Sequence, residues 1–166
     1  VIVLGVDPGT AATGYGIVER AAGGGYRLIE CGVIRPPARE PLPQRLAVIF
    51  EEVAALLARH RPDHMAVEDV FVHRNVRSAL ILGHARGAVL LAAAQAACPV
   101  AAYNPREVKA AVVGRGAATK DQVQLMVTRL LRLARPPRPA DAADGVAIAL
   151  THCLRAGRTL RRAVVG

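Results

Sequence analysis

Four acidic residues stand where a folded chain would rather place something apolar. Asp7 ends the apolar run that begins at Val1, and Glu68 lies inside Ala66-Val67-Glu68-Asp69-Val70. Asp141 and Asp144 open the segment Ala140 to Ala156, which is otherwise almost wholly apolar. Residues three apart on a helix lie on the same side, so these two carboxylates can point at one place. Unpaired carboxylates gathered together are costly to bury, because like charges repel and desolvation penalises each. Divalent cations remove that penalty, and an oxygen-only donor set selects the hard ions Mg²⁺ or Mn²⁺. Two such ions ~3.5–4 Å apart can clamp the attacking water and the leaving oxygen of a phosphodiester. Each acid also has a plainer reading. Asp141 can cap a helix and Asp144 can favour its dipole, while Asp7 before Pro8-Gly9 suits a turn. Glu68, read as a mid-strand residue, is harder to excuse, and it is the set of four that points to metal-assisted phosphodiester chemistry.

The charge balance points the same way. The formal net charge is +9 and the isoelectric point is near 10.7. Such a balance suggests a polyanionic partner, nucleic acid before membrane, since no strongly amphipathic basic helix is apparent. An arginine-rich composition can also follow from base composition alone. Of the 22 basic residues, however, only Lys109 and Lys120 are lysines, which suggests a geometric reason for keeping lysine at these two places.

The elements that must position these residues follow from periodicity and punctuation. Val1–Asp7, Tyr15–Glu19 and Tyr26–Ile34 read as three strands joined by the Pro8-Gly9 and Gly23-Gly24-Gly25 turns, an antiparallel meander. Leu46, Ile49, Phe50, Val53 and Leu57 recur at helical spacing, with Arg45, Glu51, Glu52 and Arg59 on the other side and Pro62 as the stop. A fourth strand covers Met65–Val70, a long and nearly uncharged helix Val76–Ala97, and a fifth strand Val100–Tyr103. Helices are expected over Pro105–Val113 and Thr119–Leu133, a stiff connector over Pro136–Pro139, and a last helix over Ala140–Ala156. Three strands, helix, strand, helix, strand, then helices describe an α/β fold: one mixed five-stranded sheet, part antiparallel meander and part parallel, with helices on both faces. At 166 residues one domain is expected, residues 1–157, with a basic tail over 158–166. The longest apolar stretch, Ala88 to Val100, is shorter than the ~20 residues of a membrane span. Cys31, Cys98 and Cys153 lack metal-ligand spacing and read as reduced packing residues, and no charged leader opens the chain, so a cytoplasmic location is expected. His60, His64, His73, His84 and His152 likewise show no ligand spacing and are assigned to surface or packing.

The motifs resemble those of the RuvC family of Holliday-junction resolvases. Val6-Asp7-Pro8-Gly9-Thr10 with Thr13-Gly14-Tyr15-Gly16 is similar to the family's opening motif, and Val67-Glu68-Asp69-Val70-Phe71 to its second acidic block. Val108-Lys109 to Gly114, followed by Ala118-Thr119-Lys120-Asp121-Gln122-Val123, is similar to its basic block. Ala140 to His152 is similar to its C-terminal block. The matches run in family order from residue 1 to about 155. The resemblance implies a ribonuclease-H-like fold and Mg²⁺-dependent nicking of two opposing strands at a four-way DNA junction. It makes Asp7, Glu68, Asp141 and Asp144 the metal-binding acids. Some members carry histidine at the Asp141 position, so metal binding and handling of the water's proton both stay open for that residue. Gly145 stands where alanine is expected and reads as tolerated divergence, at a helix-interior cost of ~1 kcal/mol.

The resemblance also sets Lys109 and Lys120 beside the scissile phosphate, where positive charge is needed as negative charge develops. Phe71 is one of few aromatics and is followed by the basic stretch His73-Arg74-Asn75-Val76-Arg77. An aromatic edged by cations suits stacking on an unpaired base; Phe71 alone reads equally as core, and the resemblance favours stacking. Phe71, Arg74, Asn75, Arg77, Lys109 and Lys120 are thus the expected DNA contacts. The long helix carries Gly83 and Gly87 one turn apart and little charge beyond Arg86, which makes it the expected homodimer face. A branch-migration motor is a further partner that the family suggests. Three rivals remain at this stage. An actin-like or sugar-kinase ATP-binding fold needs a second domain for which the chain lacks room. Another small ribonuclease-H-like nuclease shares the fold. A catalytically silent junction-binding module has no use for four acids that weaken phosphate binding.

Overall fold

The computed structural model describes residues 1–69 and 75–165, the side chains as far as residue 156. Strands β1 (Ile2–Asp7), β2 (Thr13–Arg20) and β3 (Tyr26–Ile34) form the expected antiparallel meander. Strands β4 (His64–Glu68) and β5 (Val100–Tyr103) add parallel to β1, giving one five-stranded sheet in the order β3-β2-β1-β4-β5. Helices α1 (Leu42–His60) and α2 (Val76–Gln95) cover one face, while α3 (Pro105–Val113), α4 (Lys120–Leu130) and α5 (Ala140–Val165) cover the other. The helix α5 runs nine residues beyond the expected end at Ala156, through the basic end of the chain.

Strand alternation explains the two-sided core. Leu4, Val6, Ile17, Met65 and Val67 point toward Ile49, Val53, Leu56, Ala85 and Val89 of α1 and α2. Val3, Val18 and Ala66 point the other way, toward Val108, Val127 and the α5 residues Val146 to Leu150. Pro62 ends α1 as expected, after Arg61 has turned left-handed at φ 44°. By length and composition α2 is apolar enough to cross a membrane, a property the strictly uncharged stretch Ala88–Val100 understates. In the fold one side of α2, at Ala85, Val89, Ala92 and Ala93, is buried against α1 and the sheet.

Helix α5 lies on β1 and β2, and at Gly5, Gly14, Gly16 and Gly145 it approaches the strands closely. A Cβ on Gly16 would fall 2.6 Å from the Cα of Val146, and one on Gly145 would fall 2.5 Å from the Cα of Tyr15. Methyl groups on Gly5 and Gly14 would strike the carbonyl oxygens of Gly145 and Asp141. Gly145 is therefore more than tolerated divergence: its missing side chain lets the helix seat at this depth. We expect Gly16→Ala to destabilise the fold by ~1–3 kcal/mol through overpacking. Gly23→Ala, where a Cβ meets nothing within 4 Å, should change stability by less than ~0.5 kcal/mol. Urea unfolding of the two variants, read at the midpoint with unchanged slope, checks this.

Candidate active site

β1 and β4 are parallel neighbours in which Val6 pairs with Val67. Asp7 and Glu68 are the next residues of the two strands, so both carboxylates leave the same end and the same face of the sheet. Glu68 is thus the last residue of β4, a correction to the mid-strand position read from the sequence. This is the region outside the carboxyl ends of parallel strands where α/β sheets place ligands. Asp144, from the first turns of α5, completes a three-carboxylate cleft of 320 Å³ whose lining also includes Lys109 of α3 and Lys120 of α4. Lys120 Nζ donates to Asp144 Oδ2 at 2.8 Å. Asp141, three residues earlier on α5, lies beside this lining rather than in it, and its carboxylate meets Arg35 at 3.7 Å.

The acids are held against their own repulsion. Burial raises the pKa of Asp7; a hydrogen bond with Glu68 works the other way, and the charges of Asp144 and Asp141 push it up further. Burial, the Asp7 charge and the shared hydrogen bond push Glu68 up to about 8. Lys120 lowers both, by too little to cancel the effect. The donor chemistry, carboxylate oxygens with unrelieved repulsion, fits a hard divalent cation. Among the described residues no three His, Cys, Asp or Glu side chains are yet drawn into a closed cage. Two of the acids are instead turned onto cations, Asp144 onto Lys120 and Asp141 onto Arg35.

The supports of the two strand ends are residues to which the sequence reading gave no role. Thr13 is fully buried, and its hydroxyl accepts from Gly9 N at 3.2 Å and donates to Gly9 O at 2.8 Å, closing the loop after Asp7. Arg45, which periodicity put on the polar side of α1, donates from Nη2 to Thr10 O at 2.6 Å, and its Nε is buried without a partner. Arg86 reaches from α2 to Glu68 O at 3.3 Å and to the Asp69 carboxylate at 3.4 Å. The available signal for Arg86 was a cation in the middle of an otherwise apolar helix; for Arg45 there was none. Of the expected DNA contacts, Phe71 and Arg74 lie outside the described residues. Asn75 caps α2, its side chain accepting from Arg77 N at 3.1 Å and Ser78 N at 3.2 Å, and Arg77 is exposed in the first turn. His60 bonds Glu30 at 2.8 Å, and His152 bonds the Tyr103 hydroxyl at 2.8 Å and packs on His64. The three cysteines are free thiols.

Residues 3–152 match the family described as crossover junction endodeoxyribonuclease RuvC. The chain belongs to the RuvC family. It is 50% identical over 151 residues to the Pelotomaculum thermopropionicum crossover junction endodeoxyribonuclease RuvC, covering 91% of this chain and 92% of that one. The Halorhodospira halophila RuvC is 49% identical over 164 residues, 99% of this chain and 96% of the relative. The Thermus thermophilus RuvC structure superposes with a TM-score of 0.88 at 41% identity, covering 96% and 97% of the two chains. The same protein in complex with a Holliday junction substrate gives 0.87 at 39% identity, covering 95% and 96%. These RuvC structures match the ribonuclease-H-like sheet described above. The yeast mitochondrial resolvase Ydc2 shares the fold, with a TM-score of 0.63 at 12% identity.

The shift on Glu68 has a thermodynamic consequence. The folded chain keeps that proton up to about pH 8, whereas the unfolded chain releases it near the ordinary value of 4.5. The stabilisation is therefore complete below pH 4.5 and is lost as pH rises toward 8. We expect the melting temperature in chelator to fall between pH 5 and pH 8 more steeply for the native chain than for Glu68→Gln, and a divalent ion to recover more of it at the upper pH. Parallel melting profiles for the two proteins would count against this electrostatic account.

Proposed function

We propose that this RuvC-family chain is a structure-selective endonuclease that resolves four-way DNA junctions, hydrolysing phosphodiesters on two opposing strands in homologous recombination and repair. The observation that carries this reading is the cleft itself, in which Asp7, Glu68 and Asp144 face Lys109 and Lys120. Its relatives are named as endonucleases of this kind, and one was solved with the junction in place. The family is one of divalent-metal-dependent nucleases, and here Asp7, Glu68, Asp141 and Asp144 are the residues that would hold the metal. Mg²⁺, two ions per site with Mn²⁺ as a substitute, would supply Lewis-acid stabilisation and an activated water. Asp7 and Glu68, fixed at strand ends, set the donors that cannot move. Asp141 serves as a further donor or as acceptor of the water's proton. Lys109 and Lys120 place ammonium groups where charge builds up on the scissile phosphate.

The remaining expected contacts keep the roles that the family resemblance implies. Phe71 is assigned to base stacking, and Arg74, Asn75 and Arg77 to the backbone beside it. We take residues 1–157 as the nuclease domain and 158–166 as a basic end that adds to the attraction for DNA. The assignment to the cytoplasm rests on the three free thiols, and that of a branch-migration motor as partner on family membership. The homodimer rests on more. The outer side of α2 leaves Val76 70%, Leu80 62% and Leu91 54% exposed, and a Cβ on Gly83 or Gly87 would meet nothing within 4 Å. A patch of this kind on a helix is a candidate for burial against a second copy, which would present two clefts to a two-fold junction.

Two experiments test these readings. With Mg²⁺, the protein should make paired nicks in an end-labelled four-way junction and leave linear duplex intact. Asp7→Asn should bind the junction while cutting at least ~10³-fold more slowly, the scale on which removal of a catalytic group acts. Binding without cleavage by the native chain across metals and sequences would leave only a silent junction-binding module. For the dimer, Leu80→Glu should reduce the mass in light scattering from two chains to one and turn paired cuts into isolated nicks. A variant that still scatters as two chains with α2 so altered would remove this helix as the interface.

A further inference from the structure

The two acids of α5 are each met by a cation, and the two cations come from opposite edges of the fold. Lys120, at the start of α4, holds Asp144 at 2.8 Å. Arg35, immediately after the edge strand β3, meets Asp141 at 3.7 Å. Lys120 and its neighbour Lys109 are carried by α4 and α3, which follow β5 at the other edge of the sheet. We propose that Arg35 is a substrate-binding residue: it neutralises Asp141 while the acids hold no metal, and grips a backbone phosphate of the DNA once a divalent ion takes that carboxylate. This inference rests on the resolvase reading given above.

The Arg35–Asp141 pair is poorly suited to a purely structural task. Its single contact is long, and the Arg35 side chain is 58% exposed. Exposed pairs of this kind contribute little to stability. The backbone beneath it, by contrast, is well fixed. Ile34 is paired with Thr13, the residue that closes the Asp7 loop, and Pro36 follows Arg35 directly. A residue before proline is held to extended conformations, so Arg35 leaves the sheet in a restricted direction beside the acids. Guanidinium is suited to the second half of the task, because its planar fork matches phosphate as well as carboxylate and it is only weakly hydrated. A strand crossing the cleft then meets lysines on the α3 and α4 side and an arginine on the β3 side.

The two halves of the proposal predict effects of opposite sign, which a merely structural role does not. Arg35→Ala and Arg35→Lys are first compared with the native chain by thermal melting, and then by two binding measurements. In calorimetric titration with Mn²⁺ and no DNA, Arg35→Ala should bind the ion several-fold more tightly, since the competing cation is gone. In Ca²⁺, with a fluorescent four-way junction at several salt concentrations, the same variant should bind about tenfold more weakly, with a salt slope shallower by about one contact. Arg35→Lys should fall between. If Arg35→Ala binds the junction with native affinity and slope, the proposal is overturned, and so it is if metal and junction affinity both fall together. Failure of the native chain to prefer junction over duplex would instead remove the resolvase reading. The loss of one phosphate contact would then be read on the duplex, where an unchanged slope also overturns the role of Arg35.

Discussion

The closeness of α5 to the sheet is the constraint on which the rest depends. A helix packed on a sheet through ordinary side chains stands about 10 Å away, the spacing of packed layers. Here glycines on both surfaces thin that layer, Gly5, Gly14 and Gly16 on the sheet and Gly145 on the helix. The start of α5 is thereby brought down to the strand ends, and Asp144 reaches the cleft that Asp7 and Glu68 occupy. This close seating lets a short carboxylate on the helix share a cleft with two on strand ends. The helix-interior penalty of Gly145 is thus one part of a packing arrangement, and the buried residues Val146 to Leu150 that follow it supply the apolar area holding the helix down.

That geometry creates an electrostatic problem which the surrounding cations answer in part. Asp7 and Glu68 are both shifted toward the neutral form, so the metal-free cleft stores repulsion. Lys120 and Arg35 relieve Asp144 and Asp141 from outside, and neither is buried enough to fix its partner rigidly. Among the described residues the strand acids have no such ion pair, and they share a hydrogen bond instead. A preorganised pair at the strand ends and a more adjustable pair on the helix is an arrangement that can close around a divalent ion without moving the sheet. Rigidity where the backbone is in a sheet, and freedom where an exposed ion pair can exchange, follow from the elements that carry each residue.

The sequence made much of this legible because its strongest signals are local. Apolar strands ending in acids, glycine turns and helical periodicity gave the sheet, its mixed direction and the order of its helices. The lysines of the cleft stood out because arginine fills nearly every other basic position. Long-range consequences were harder to see. The position of Glu68 was misjudged because an apolar run does not mark where pairing stops; the sheet ends there when β5 leaves it at Tyr103. Gly145 was read through helix propensity alone, although its reason is the Tyr15 backbone, 130 residues earlier in the chain. Periodicity puts Arg45 on the polar side of α1 and does not report what a long side chain there can reach.

Helix α2 joins the two scales of the molecule. One side of it belongs to the core through Ala85, Val89, Ala92 and Ala93, and another side is apolar yet exposed. Between these, Arg86 reaches back to the carbonyl of Glu68 and the carboxylate of Asp69. The side chain that holds the end of β4 is therefore carried by the same helix whose exposed apolar side is proposed to meet a second copy. Gly83 and Gly87 flank Arg86 on that helix and leave room for close approach. Packing of a partner against this face would bear on a helix already anchored to Glu68. If the proposed dimer forms through this face, Arg86 is the residue by which its packing would reach the Glu68 end of β4.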